Sequence, residues 1–183
     1  MNIFTNKPHL ALLAALFLSA CVDIPEGTEV VTDFELDRYL GTWYEIARLD
    51  HRFERGMTDI TANYSLRDDG GVKVVNRGFK TDKGEWEDAE GKAFFVGEPD
   101  VGQLKVSFFG PFYGGYNILE LDADNYQYAL VAGPDRDFLW ILARTPELPE
   151  ATLQMLVDKA KSLDFPVDEL IYVTHERSNE QAP

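Results

Sequence analysis

Residues 39–56 read YLGTWYEIARLDHRFERG. A Gly-x-Trp opens a short run rich in Trp, Tyr and Ile, and the run ends in His51, Arg52, Phe53 and Arg55. Such a stretch is either a chemical site or the first strand of a sheet. What decides between them lies more than ninety residues downstream, in FLWILARTP (Phe138–Pro146), where a second β-type run ends on Arg144.

Between these two runs lie six more. DITANYSL, VKVVNRGF, WEDAEGKAFFVG, QLKVSFF, YNILEL and YQYALVA are each bounded by Gly, Asp, Asn or Pro, as in RDDGG, TDKGE, EPDVG, GPFYGG, DADN and GPDRD. Val, Ile, Phe, Tyr and Trp favour the pleated conformation, and the bounding residues favour turns. Breaks this short make sequential strands antiparallel neighbours. Eight such strands predict an all-β domain, either an up-and-down barrel or a sandwich. A helix follows over about 149–164, with Leu153, Leu156, Val157, Ala160 and Leu163 on one face between Pro149 and Pro166. ELIYVT is a last short strand, and residues 175–183 read as a flexible tail.

The N-terminus is of a different kind. One Lys precedes LALLAALFL (Leu10–Leu18) and then LSAC, ending at Cys21. A basic start, a short apolar run and small residues before a cut make residues 1–20 a secretory signal. Nine apolar residues are too few for a membrane span, which needs ~20. LSAC resembles the bacterial lipobox, which implies that Cys21 becomes the acylated first residue of the mature chain. Val22, rather than Asp, follows it, which in such lipoproteins implies the outer membrane. Residues 21–36 then form a lipidated N-terminus and spacer before a domain over 37–174.

Cys21 is the only cysteine, so an acylated chain has no thiol for disulfides, metal or catalysis. The whole chain carries −15; loss of residues 1–20 removes one Lys and no acid, leaving −16 on 163 residues. That surface repels phosphate backbones, which excludes nucleic acid as a partner, and it gives no attraction to anionic lipid. Past the signal only His51 and His175 remain. Neither is spaced for a triad, and no metal-ligand or phosphate-loop motif is present, so neither catalysis nor a cofactor is expected.

Three blocks in order, GTWYEIAR (Gly41–Arg48), ADNYQYALV (Ala123–Val131) and ILARTP with Arg144, resemble the signatures of the lipocalins. FERG, KVSFFGPFYGGYN and GPDRDFLWILARTP are similar to the bacterial outer-membrane lipoproteins of that family, in the branch of apolipoprotein D. The resemblance runs from about Asp37 to Val173. In the second block the family's Thr-Asp-Tyr is here Ala123, Asp124 and Asn125, so only Asp124 matches. The resemblance implies an eight-stranded antiparallel up-and-down β-barrel with one C-terminal α-helix packed outside and a short final strand. Gly41, Trp43, Asp124 and Arg144 are then structural signature residues, with the Arg144 guanidinium over the Trp43 indole at the closed end.

Parity along the strands gives the expected lumen. From Arg144 it points Leu142, Trp140 and Phe138 inward; from Trp43 it points Glu45 and Ala47 inward, with Tyr44 and Ile46 toward the helix. The family register adds Tyr116, Ile118, Ala129 and Val131. An inward Glu45 needs a partner, expected to be Arg144 or a buried water. These residues are either core filling or the walls of an apolar cavity, which would suit an acyl chain. His51, Arg52, Phe53, Arg55, Phe112 and Tyr113 are candidates for the mouth. The cations there would either meet a phosphate or carboxylate or simply be solvated. The aromatics of FFGPFYGGYN would cover a barrel edge or meet a ligand, a membrane or a second copy in a homodimer. The expected function is the binding or transport of a fatty acid or lysophospholipid by a lipoprotein facing the periplasm. The alternatives are an envelope protein whose partner is another protein, and a lipocalin-fold enzyme.

Overall fold

A computed structural model describes residues 22–177 of the chain. Cys21 and the signal-like segment lie outside the described residues. Eight strands, β1 (Gly41–Arg48), β2 (Met57–Leu66), β3 (Val72–Lys80), β4 (Glu85–Phe95), β5 (Gln103–Ser107), β6 (Gly114–Leu121), β7 (Tyr128–Ala132) and β8 (Leu139–Ala143), each pair antiparallel with the next, and β1 closes the ring by pairing with both β2 and β8. Helix α1 (Leu36–Tyr39) precedes the barrel. Helix α2 (Glu150–Ser162), a 3-10 turn (Val167–Glu169) and β9 (Ile171–Tyr172) follow it. The expected up-and-down barrel is therefore formed. No helix among the described residues is long and apolar enough to cross a membrane.

The period-two alternation sorts β7 and β8 between two cores. Ala129, Val131 and Leu142 join the cluster inside the barrel, with Trp140 packed on it. Leu130, Ala132, Leu139, Ile141 and Ala143 point outward and are covered by Leu156 and Ala160 of α2. Both faces of this part of the sheet are buried, which is why its strands read as nearly continuous apolar runs.

One end of the barrel is shut. The Arg144 guanidinium lies 4.0 Å from the centre of the Trp43 ring. Its Nε donates to the Tyr126 carbonyl at 3.2 Å, Nη1 to that of Thr42 at 3.0 Å and Nη2 to that of Arg38 at 2.7 Å. Trp43 is fully buried and donates to the Tyr39 carbonyl at 2.8 Å. One cation thus ties α1, β1 and the β6–β7 turn together. Gly41 takes φ +92° with Arg144 Nη1 beside it, so the glycine of the Gly-x-Trp signature answers a left-handed backbone. Asp124 does not organise its turn with its carboxylate, which is exposed; its carbonyl accepts from Arg38 at 2.7 Å. The Asp122 carboxylate takes that role, accepting from the N–H groups of Asn125 and Gln127.

Four expectations change. The β1–β8 register shifts between Glu45 and Ala47, a bulge that reverses the parity of the strand. Ala47 accordingly leaves the lumen and joins Ile46 in the cluster under α2. Arg48 turns inward in its place and pairs with Glu45 at 2.9 Å, so the cation beside Glu45 is Arg48 and not Arg144. Residues 175–177 are not a loose tail. His175 Nε2 donates to the Glu45 carbonyl at 2.8 Å and the Arg177 N–H to Asp59 Oδ1 at 2.6 Å. They continue from β9, which pairs with β1 at Ala47 and Arg48 where β2 has separated. Residues 22–36 are not a free spacer either. Val31 bonds Ile118 and Gly102, and Phe34 is buried in the interior cluster.

Candidate ligand-binding site

Above the Trp43 floor the barrel encloses a cavity of about 100 Å³. It runs from Phe34 and Tyr39 at the closed end, past Val74, Ala93 and Leu104, to Trp140 at the other. The bulk of the wall is apolar and aromatic, supplied by the inward residues of β2 to β6 and β8. Besides Thr61 and Asn76, two sets of polar groups interrupt it.

The first is a set of three tyrosines. The Tyr116 hydroxyl lies 2.7 Å from that of Tyr39 and 2.9 Å from that of Tyr64. Burial raises all three above the ordinary phenol range. They stay neutral, and by hydrogen-bonding one another they add no charge to the apolar wall.

The second is built by the β1 bulge and the first loop. Arg48, 2% exposed, donates from Nη1 to Glu45 and from Nη2 to the Glu54 carbonyl, both at 2.9 Å. Glu54 folds inward over the mouth. His51 Nε2 lies 2.9 Å from Glu54 Oε2, and Trp140 Nε1 donates to the same oxygen at 3.2 Å. Burial, with Glu54's charge beside it, pushes the Glu45 carboxyl well above the usual carboxylate range against the pull of Arg48. Burial acts on Glu54 in the same direction, but donors from His51, Trp140 and Glu45 outweigh it and hold Glu54 below its ordinary value. Of the two, Glu45 is the carboxyl whose ionisation burial opposes, and Glu54 the one whose charge its donors favour. The carboxyl groups that line the cavity are these two acids; Arg48 and His51 are not part of its lining.

Of the expected cavity residues, Tyr116, Trp140 and Leu142 border the space. Ile118, Ala129 and Val131 are fully buried in the interior cluster without bordering it. Phe138 precedes β8 and does not border the cavity. It stacks on Trp140 at 6.2 Å and meets His51 at 5.9 Å, as part of the rim. A Cβ on Gly133 would stand 2.6 Å from that of Phe138, so the opposing residue must be glycine.

The mouth candidates divide. His51 is buried and engaged with Glu54 rather than offered to a ligand. Arg55 is held by Asp50 through two donors. Arg52 is exposed and lies over the Phe53 ring at 4.8 Å. Phe112 is exposed, whereas Tyr113 is half-buried between Phe94 and Lys105. Sequence reasoning missed Arg48, Glu54, Tyr39 and Tyr64. For Arg48 a signal existed: Glu45 and Arg48 stand three apart, on opposite faces of a regular strand, so an inward Glu45 with that partner requires a bulge.

A closed up-and-down barrel with an apolar interior and a few fixed polar groups defines a binder of small hydrophobic molecules. The chain belongs to the lipocalin family: the lipocalin-like domain matches residues 34–175. It is 54% identical over 165 residues to outer membrane lipoprotein Blc of Escherichia coli (strain K12), covering 89% of this chain and 93% of that protein. It is 34% identical over 184 residues to apolipoprotein D of Mus musculus, covering 91% and 93%. Among solved structures, the cockroach allergen Per a 4 superposes with a TM-score of 0.67 at 20% identity, covering 86% of this chain and 98% of that one, a likeness of fold alone. With its bacterial relatives the chain is an outer-membrane lipoprotein.

Proposed function

We propose that the barrel holds the acyl chain of a fatty acid or lysophospholipid, and that Cys21 carries the acyl groups that keep the protein at the outer membrane. The protein would serve there in the storage or turnover of envelope lipid. The observation that carries this is the cavity, an apolar space reaching from Phe34 to Trp140 with its tyrosine hydroxyls mutually satisfied. Burial of an alkyl chain there supplies roughly 25 cal/mol per Å² of apolar surface.

The polar end of the cavity argues about the head group. A carboxylate drawn to the depth of Trp140 would meet the Glu54 carboxylate, which already holds the Trp140 donor, while Arg48 is engaged by Glu45 and the Glu54 carbonyl. The head group therefore stays at the rim, where Arg52 is exposed, and a zwitterionic or uncharged one is better tolerated than a bare anion. No residue of this cavity is arranged as a nucleophile and base, which supports binding rather than catalysis.

Titration of the delipidated chain with a fluorescent fatty-acid analogue should saturate at about one per barrel, and a lysophospholipid should displace it. Absence of saturable binding overturns the proposal. Cys21→Ala should move the protein from the membrane to the soluble periplasmic fraction; retention in the membrane overturns the anchor.

A further inference from the structure

The exposed large apolar side chains are unevenly placed. Phe112 and Phe109, 78% and 71% exposed, are the two most exposed, and both lie on the loop between β5 and β6. Phe53, 54% exposed, lies on the loop between β1 and β2. By the direction of their strands, both loops stand at the open end, on either side of the mouth. Ile171 and Tyr172 of β9 are exposed beside the half of β1 that leads to the same end. At the closed end Leu66 and Val96 stand singly, and neither is aromatic. Exposed aromatics grouped around an opening mark a contact surface.

The course of the N-terminal segment is independent of this. From Phe34 at the closed end it climbs the outside of the barrel toward the mouth. The Glu26 carbonyl accepts from Arg136 Nη2 at 2.7 Å, on the loop between β7 and β8. The Asp23 carbonyl accepts from Asn117 Nδ2 at 2.9 Å and lies beside Gly115, next to Pro134. Val22 is thus held on the outer wall of β5 and β6, its carbonyl accepting from Gln103 Nε2 at 3.4 Å, with Asp23 beside the loop between β7 and β8. Cys21 is the next residue in the sequence. Acyl chains on Cys21 would leave the protein there with almost no tether.

We propose that the open end of the barrel rests on the bilayer that anchors the chain, with Phe53, Phe109 and Phe112 in the lipid interface. An anchor so close to one end leaves that end facing the surface, and the aromatics are the groups that favour an interfacial position. Charge agrees with a zwitterionic surface. Near the mouth, Arg55 is paired with Asp50 and Lys83 with Glu87, so the exposed Arg52 of the first loop stands without a basic patch around it. In this orientation a lipid tail passes between bilayer and cavity without crossing water. The inference rests on acylation of Cys21 and not on the identity of the ligand.

The test uses the full lipidated chain in phosphatidylcholine vesicles. With Cys21 acylated, an introduced cysteine is the single free thiol. A fluorophore on Arg52→Cys reports the mouth and one on Asn125→Cys the closed end, both exposed sites. Lipids with a nitroxide on the acyl chain should quench the first at least several-fold more than the second. Phe109→Ser with Phe112→Ser should reduce that quenching while the protein stays on the vesicles. Equal quenching at the two sites, or stronger quenching at residue 125, overturns the orientation; failure to associate with vesicles overturns the anchor and the orientation together. The soluble Cys21→Ala chain should bind the fluorescent fatty-acid analogue in either case, which separates this outcome from a failure of the binding proposal.

Discussion

Replacing Arg144 with methionine keeps a long apolar stem and deletes the guanidinium that closes the barrel. Two kinds of interaction go. The cation over Trp43, at 4.0 Å, contributes about 0.5–2 kcal/mol. The donors to Tyr126, Thr42 and Arg38 contribute about 0.5–1.5 kcal/mol each once exchange with water is counted. Arg144 is only half-buried, so water reaches some of the released carbonyls, and the lower half of each range applies. The expected loss is about 3 kcal/mol, or roughly 6–12 °C in Tm for a domain of this size. Urea unfolding followed by tryptophan fluorescence would measure it, with an unchanged denaturant slope showing that both states keep their compactness. Arg144→Lys should fall between, since an ammonium keeps the attraction to the indole but cannot reach three diverging carbonyls. A loss below about 1 kcal/mol for Arg144→Met, or full stability with lysine, would refute the closure assigned to this residue.

Two further outcomes follow from the site and its frame. Glu45 holds its proton in the folded state above its ordinary range, so above about pH 4.5 the unfolded chain releases a proton that the folded chain keeps. Its contribution to stability therefore falls as pH rises, by up to ~1.4 kcal/mol per pH unit until the folded group also ionises. Glu45→Gln imitates the protonated acid, so denaturant melts across this range should show the variant gaining on the wild type with rising pH; a gain with falling pH would contradict the assignment. Gly41→Ala places a side chain at φ +92° and should lower stability by about 1–2 kcal/mol in the same assay, with ligand stoichiometry unchanged.

How far the sequence carried this reading depends on where each element takes its register. Trp43 and Arg144 mark strand ends, and the contact that the family resemblance implies between them is formed. β7 and β8 are short and buried on both faces, so Ala129, Val131 and Leu142 keep the side that counting from Arg144 or the family register assigns. β1 defeats counting, because one extra residue at its centre sends Ala47 out and Arg48 in, and the cause lies in the registers of β8 and β9. β2 and β3 carry a further shift between Thr58 and Thr61, with Asp59 at φ 54°, which is why no single phase fits DITANYSL. The first loop was the hardest. His51 and the arginines read either as groups meeting a ligand or as solvated charges, but the loop folds back so that Glu54 faces the lumen with His51 against it. Local composition shows that such a loop is charged, and the fold alone decides which charge points inward.

The central claim is that the lumen holds a single acyl chain. Native mass spectrometry of the lipoprotein extracted from its own outer membrane tests it most directly when paired with Ala62→Trp, which fills the cavity with an indole at a position on its wall. The wild type should carry one releasable acyl lipid per barrel and the variant none, while the covalent mass at Cys21 is the same in both. Bare protein in both, or equal lipid on both, would contradict the account.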